Sequence, residues 1–383
     1  MAVLRDSCAP GASNWRAGVP RACRLPHRAT LPTDLPIPIP RRVAVFRALV
    51  LGDMLCATPA LRAMRHAWPQ AQLTLVGLPW AAELAARLDS VDDFIALPGY
   101  PGLPEIPCTV TQLPAFLQTV QARDFDLALQ LHGSGGIVNP LVASFGARAT
   151  AGFYDDCAWV PPADRARWRR WPQQGHEIER LLALTDHLGL PRQGLALDFP
   201  LRPADHAAAR ALLAPLPAGT AYAVVHAGAQ LPSRRWAPER FAAVARHLAG
   251  QGLHPVLTGG AGEAALTRAL AKAAGVPCLD LAGRTTLWTL GALVDGAACV
   301  VCNDTGISHI AAARGRPSVV VSSGANVRRW APLDAARHRV LAQDLPCRPC
   351  AHAVCPYDHG CATAISVPQV LAALPPVLPL PVP

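Results

Sequence analysis

Lysine is almost missing from this chain. Lys272 is the only one among 383 residues, so the formal charge of +9 is carried by arginine. With so much alanine and proline, that bias reads as the base composition of the coding sequence rather than as selection for guanidinium chemistry. Long apolar runs are missing too: none approaches the ~18 residues of a membrane-spanning helix. No apolar segment of signal-peptide type follows Arg5. Neither a GxGxxG dinucleotide fingerprint nor a GxxxxGK[ST] phosphate loop is present, which argues against a dehydrogenase or an NTPase. A nucleic-acid-binding field is also absent. Residues 1–42 hold seven Arg and two Asp, or +5 of the charge, leaving the body a mild +4.

What is present is a large apolar chain. Half of the residues are hydrophobic, and 383 residues exceed one ordinary core, so two domains are expected. Residues 1–40, rich in Arg and Pro, read as a disordered or extended leader, or as an over-extended start. The twelve cysteines are scattered and no export signal accompanies them, which favours a reducing cytoplasm over a disulfide framework.

From Arg41 onward, short β-branched runs alternate with helical spacing. The first half, 41–200, has strands at Arg41–Phe46, Gln72–Val76, Asp93–Leu97, Asp126–Leu131 and Ala149–Phe153. Helices are expected at Ala81–Leu88, Gln112–Arg123, Ile137–Phe145 and His176–Leu188, and one begins at Asp53 or at Thr58–Pro59. Asp155–Pro172 reads as a loop whose Arg and Trp residues suit a sugar or phosphate partner, or as an irregular surface excursion. A linker spans 201–217. The second half, 218–345, repeats the alternation and is closed by a strand at Ser318–Ser322. A Cys- and Pro-rich tail, 346–383, ends the chain with a short helix at Pro368–Leu374. Repeated βα units with short connections mean parallel sheets in both halves.

The most informative stretch is Asn303–Pro317, NDTGISHIAAARGRP. It leaves a buried strand, Ala297–Cys302, and enters a helix at Ile307 through Asp304, Thr305 and Gly306, so the first helical N–H groups face the crevice at the strand ends. Three further strand ends of this half carry polar or glycine-rich turns: His226–Trp236 with Arg234 and Arg235, Thr258–Glu263 with Gly259 and Gly260, and Leu281–Leu287. In the first half, Gly52–Asp53 bends out of the first strand. Asp53 there can accept a hydroxyl's proton or only cap a helix. His132 and Gly133 follow a buried strand; they can line a substrate floor, although a histidine in such a place is more often structural.

Together LGDMLCATPALRAMRHAWPQAQLTLVG, HAGAQLPSRRWAPERFAAVARHL, VLTGGAGE, DLAGRTTLWTLGALVDGA and CNDTGISHIAAARGRPSVV resemble glycosyltransferase family nine, in order and spacing, over residues 42–375. The resemblance implies a GT-B fold of the α/β class, two Rossmann-like domains with parallel sheets facing across a cleft. It implies an acceptor site in the first domain and a nucleotide-sugar site in the second. The expected activity is inverting transfer of heptose from ADP-heptose to a lipopolysaccharide inner-core acceptor, an anionic lipid-linked saccharide met at the cytoplasmic face of the inner membrane. Asp53 then matches the family's general base. Arg234 stands where the family often has Lys, to neutralise the departing diphosphate. Glu263 matches the acid that holds the ribose, and Asp304, Thr305, Gly306 and His309 match the donor-binding element. Arg235, Gly259 and Gly260 join the donor side, and Gly52, His132 and Gly133 the acceptor side. No metal or other cofactor, and no nucleic-acid partner, is expected.

Two rival readings are a nucleotide-sugar epimerase, which shares the fold but uses a UDP-sugar and no acceptor, and a non-catalytic sugar-nucleotide binder. Cys347, Cys350, Cys355 and Cys361 have spacing that departs from paired CxxC knuckles, so free thiols are favoured over a structural zinc site.

Overall fold

A computed structural model describes residues 39–376, so most of the expected leader lies outside the described residues. The first half carries β1 (Arg42–Phe46), β2 (Gln72–Gly77), β3 (Asp93–Ala96), β4 (Leu127–Gln130), β5 (Ala149–Tyr154) and β6 (Trp168–Arg170). Its helices are α1 (Leu51–Ala67), α2 (Ala82–Ala85), α3 (Leu113–Gln121), α4 (Val138–Ala143) and α5 (Glu177–His187). Helix α6 (Pro203–Leu213) leads into the second half. There β7 (Tyr222–His226), β8 (His254–Leu257), β9 (Leu279–Asp280), β10 (Val300–Asn303), β11 (Ser318–Ser322) and β12 (His338–Ala342) form the sheet. The helices are α7 (Pro238–Gly250), α8 (Ala264–Ala274), α9 (Leu287–Gly296), α10 (Gly306–Ala313), α11 (Val327–Trp330), α12 (Gly360–Thr363) and α13 (Val367–Ala372).

Both sheets are parallel and six-stranded. Their orders, β3-β2-β1-β4-β5-β6 and β9-β8-β7-β10-β11-β12, are the same order repeated. The order reverses between β1 and β4 and again between β7 and β10, and such switch points are where open α/β sheets leave a crevice at their strand C-termini. This is the expected pair of Rossmann-like units in the GT-B arrangement. One hydrophobic cluster runs from Val43 and Leu129 of the first sheet through α1 and α10 to Val300 and Val320 of the second. Helix α10 rests on α1, so the halves share packing as well as a linker, and the linker helix α6 rests on α9.

Several expectations are corrected. Helix α1 begins at Leu51 and contains Pro59. Leu55, deprived of a helical donor at Pro59, accepts instead from the Thr58 hydroxyl at 2.8 Å. The stretch Asp155–Pro172 is not only a loop: it holds strand β6, because Trp168 is buried, its indole N–H donates to the Thr150 hydroxyl, and Gly152 leaves room for its ring. Trp171 is buried under Arg180, Arg165 stacks on Tyr154, and Arg167 and Arg170 pair with Asp164 and Asp156. Of the segment's three tryptophans only Trp159 is exposed, so much of the basic and aromatic interleaving is internal packing. The expected helix at Ala81–Leu88 is a 3₁₀ turn followed by one α turn. Strand β11 does not close the second sheet. β12 lies outside it, with His338 Nδ1 2.9 Å from the Ser318 hydroxyl. The C-terminal helix α13 packs on α7 of the second half, burying Val370.

Candidate functional site

Between the two switch points lies a cavity of about 440 Å³. That is within the ~300–1,000 Å³ of small-molecule sites. It is lined from the first half by Val50 to Asp53, and from the second by His226, Arg234, Gly260, Glu263 and the start of α10. Two helices therefore begin at its wall. The N-cap residues are Val50 for α1 and Thr305 for α10, and neither N-terminus has a side-chain cap. Uncapped first-turn N–H groups and the positive ends of two helix dipoles thus face one volume, a setting that favours an anionic ligand.

Glycine makes the seam between these helices. A Cβ on Gly52 would come within 2.7 Å of the His309 ring, and one on Gly306 within 3.0 Å of the Leu51 side chain. Gly306 thus lines the cavity and also packs against the opposite half of the protein. His309 is buried in that seam, with Nδ1 3.8 Å from the Cys56 sulfur, and burial pulls it down to about 4, so it is neutral at physiological pH.

Asp53 sits in the first turn of α1. Burial pushes its carboxyl up to about 6; Arg47 and Arg329 work against that shift and Glu177 works with it. Arg47 is itself almost wholly buried. It donates to the backbone carbonyls of Asp53, at 2.9 Å, and of Leu131. A carboxylate poised near 6 is largely ionised at neutral pH and retains the basicity to accept a proton.

In the second half, Asp304 accepts from the Ser322 hydroxyl at 2.9 Å and is half-buried; desolvation raises its pKa, while Ser322 and Arg234 oppose the rise. Asn303 is a strut: its amide donates to Ala227 O at 2.8 Å and accepts from Trp236 N at 2.9 Å, tying the end of β10 to the loop after β7. Arg234 lines the cavity but is buried. Its guanidinium donates to Ser323 O at 3.0 Å and to Cys350 O, and Nε has no hydrogen-bond partner. Burial lowers its pKa from the usual arginine value, without bringing it near neutrality. Arg235 turns back onto Ala229 O at 2.8 and 2.9 Å and stands 3.9 Å from Glu263. Glu263 accepts from Gly260 N at 2.8 Å and leans over Gly228, where a Cβ would collide with its carboxylate. Gly259 lies beneath the same side chain.

The cavity thus brings together Gly52, Asp53, Arg234, Gly260, Glu263, Asp304, Thr305, Gly306 and His309. It does not include His132 and Gly133. His132 is buried, accepts from Ala48 N at 3.1 Å through Nδ1, and faces Glu105 with Nε2 at 3.6 Å. Burial lowers its pKa, with Glu105 opposing. Three contributors were missed. His226 opens the HAGAQ motif at a strand end, a position that signalled it; its Nδ1 is 3.0 Å from the Thr258 hydroxyl. Gly228, in the same motif, is the space Glu263 needs. Trp330 lines the far wall and belongs to no motif. The tail cysteines lie near one another, since Cys350, Cys355 and Cys347 add to the burial that raises the Cys361 pKa, but among the described residues no three His, Cys, Asp or Glu side chains gather as a metal site.

The profile of the family described as Glycosyltransferase family 9 (heptosyltransferase) matches residues 114–360. Lipopolysaccharide heptosyltransferase 1 of Pseudomonas aeruginosa is 26% identical over 325 residues, covering 83% of this chain and 88% of that protein. The fold is shared with a family 9 glycosyl transferase from Veillonella parvula, at TM-score 0.72 and 19% identity, over 87% of this chain and 96% of that one. It is shared also with the Escherichia coli ADP-heptose LPS heptosyltransferase II, at TM-score 0.67 and 20% identity, over 87% and 97%.

Proposed function

The chain belongs to glycosyltransferase family 9 (heptosyltransferase), and from that premise we propose that it transfers heptose from ADP-heptose, with inversion, to an anionic lipid-linked saccharide of the lipopolysaccharide inner core. One observation carries the reading: Asp53 and the uncapped N-terminus of α10 share a single cavity between the two halves. The name of the Pseudomonas relative supports both the sugar and the acceptor class.

In this mechanism the acceptor hydroxyl approaches from the first half and Asp53 takes its proton as the oxygen attacks the anomeric carbon. Displacement with inversion needs the base and the leaving group on opposite faces of the sugar, and the base and the helix terminus belong to opposite walls of the cleft. The diphosphate leaves with growing negative charge toward the first N–H groups of α10, at Gly306 and Ile307, and toward the cationic Arg234. Glu263, beside Gly260, is placed to hold the ribose hydroxyls. No helix among the described residues is long and apolar enough to cross a membrane. In this reading a lipid-linked acceptor is met at the inner face of the inner membrane.

Calorimetric titration with ADP, UDP and GDP in turn tests the donor. Tightest binding of ADP is the expected result. A preference for UDP overturns the ADP-heptose assignment and favours an epimerase or another transferase.

A further inference from the structure

One buried carboxylate, Glu177, is not used in that mechanism. It opens α5 in the first half and is 1% exposed. Three guanidinium groups surround it. Arg47 Nη2 lies 3.4 Å from Oε1, Arg180 Nη1 lies 3.6 Å from Oε2, and Arg329 Nε donates to Oε2 at 2.7 Å. Arg47 follows β1 and Arg180 is on α5, but Arg329 is on α11 of the second half. The pair Glu177–Arg329 therefore crosses the cleft.

A neighbouring bond crosses at the same place. His176 Nδ1 accepts from Ile178 N at 3.2 Å, which leaves the proton on Nε2 to be donated to Ala331 O at 2.7 Å. The crossing is thus made at both ends of the short turn Arg329–Ala331, next to Trp330 of the cavity wall. Arg47 completes the circuit, since its Nε holds the backbone carbonyl of Asp53 while its Nη2 faces Glu177.

We infer that Glu177 is a positioning residue for the transfer: through Arg329 it holds the two halves together beside Asp53, and with Arg47 it fixes the electrostatic surroundings in which that carboxylate works. The inference rests on the reading of Asp53 as the base. Burying a carboxylate without partners costs several kcal/mol, so Glu177 stays charged here only because its cations outweigh the burial. Burial alone would push its pKa up, yet Arg329, Arg47 and Arg180 together hold it below its usual value. Separating the halves would remove Arg329 from both carboxylates at once. The charge on Asp53 is thereby coupled to closure of the cleft.

The groups facing Asp53 define the expected signs. Arg47 and Arg329 lower its pKa and Glu177 raises it. Cys56 and His309 approach from α1 and α10. The Cys56 thiol is pushed well above its usual value by burial and by these carboxylates, and His309 is neutral. His176 and Arg180 stand behind Glu177, and Arg234, Glu263 and Asp304 line the opposite wall.

The test follows the side-chain ¹³C signal of Asp53 through a pH titration of the full-length chain, the signal being identified by its loss in Asp53→Asn. Glu177→Gln removes a nearby negative charge and lowers the Asp53 midpoint by about one pH unit. Arg329→Gln removes a positive charge and raises it. Opposite shifts support the inference; unchanged midpoints, or shifts of the same sign in both variants, overturn it. Arg329 is 31% exposed, so its replacement spares the buried core. If Glu177→Gln does not fold, Arg329→Gln decides alone, a raised midpoint supporting the inference and an unmoved one overturning it. Turnover of Asp53→Asn with ADP-heptose separates the two layers: full turnover sinks the base reading, while the midpoints still judge the clamp.

Discussion

In the first half, the strand end that faces the cavity is tied down by ions. Arg47 follows β1, pairs with Glu177, and holds the carbonyl of Asp53. In the second half the equivalent end, after β7, is tied down by neutral polar groups, with Arg235 holding Ala229 O further along the loop. His226 meets the Thr258 hydroxyl, and the Asn303 amide bridges Ala227 and Trp236. The next equivalent pair diverges as well. After β4 comes His132, sealed under Glu105, whereas after β10 comes Thr305 and an uncapped helix. Identical strand order therefore carries two chemistries. Burial raises the pKa of one carboxylate and the surrounding charges set how far, which suits proton transfer. Neutral hydrogen bonds fix a backbone terminus without competing for an incoming anion.

The largest effect that this contrast predicts falls on the first half. Asp53→Asn removes the proton acceptor while keeping the shape of the turn, so turnover drops by roughly 10³-fold, in line with general-base contributions of ~10²–10⁴. ADP affinity, measured by calorimetry, stays within about twofold because the proposed nucleotide contacts lie in the other half. Loss of ADP binding would show that the division between proton transfer and nucleotide binding is false.

A smaller effect belongs to the second half. Glu263→Ala removes a charged acceptor, and Gly228→Ala forces the same carboxylate from its place. Both weaken ADP binding by about tenfold, the scale of one hydrogen bond to a charged group. Turnover at saturating donor stays within about twofold for either variant. Unchanged affinity in Glu263→Ala would remove the ribose assignment, and a collapse of turnover would place Glu263 in the chemistry.

The pH profile sharpens the contrast further. Asp53 must be ionised to accept a proton, so turnover falls as pH drops through about 6, its shifted value. The KM for the sugar nucleotide stays flat from pH 5 to 8, within about threefold. Its diphosphate has no proton to lose there, and burial pulls His226 below its usual value against the influence of Glu263, which moves its charging toward lower pH. An acid limb in KM as well as in turnover would mean that donor binding and proton transfer share a titrating group.

The parallel sheets and the cavity wall were legible for different reasons. Short β-branched runs such as RVAVF and SVVVS have no alternative home than a buried parallel strand. The NDTGISH and LGD stretches stood out because strand ends are where polar residues have no packing reason to be. Strand β6 was hidden because WRR offers three residues and no apolar periodicity; only the burial of Trp168 makes it a strand. Trp330 and the Glu177–Arg329 pair were hidden for another reason. They become part of the site through contact between halves 152 residues apart in sequence, and no local pattern encodes that distance. The seam glycines were legible as glycines, but not as the space that lets α1 and α10 touch.

The smallest prediction concerns stability and sets the two cavity carboxylates against each other. Asp53 has a folded-state pKa raised from 3.8 to about 6, so its ionised form is disfavoured by folding. The neutral acid contributes stability below its unfolded value, near 4, and that contribution is lost as pH rises through about 6. Asp53→Asn does not lose it, so the variant should melt higher than the parent at pH 7, by roughly 1 °C for about 1 kcal/mol in a chain of this size. The gain should fade toward pH 4, where both proteins are uncharged at this position. Asp304 is also raised by burial, but the Ser322 hydroxyl and Arg234 oppose the rise. Replacing it with Asn relieves less and weakens a charge-assisted bond, so Asp304→Asn gains less than Asp53→Asn or nothing. Melting curves of the two variants at pH 4 and pH 7 measure this directly. A larger, pH-dependent gain in Asp304→Asn would reverse the contrast, placing the strained charge in the half that holds the donor.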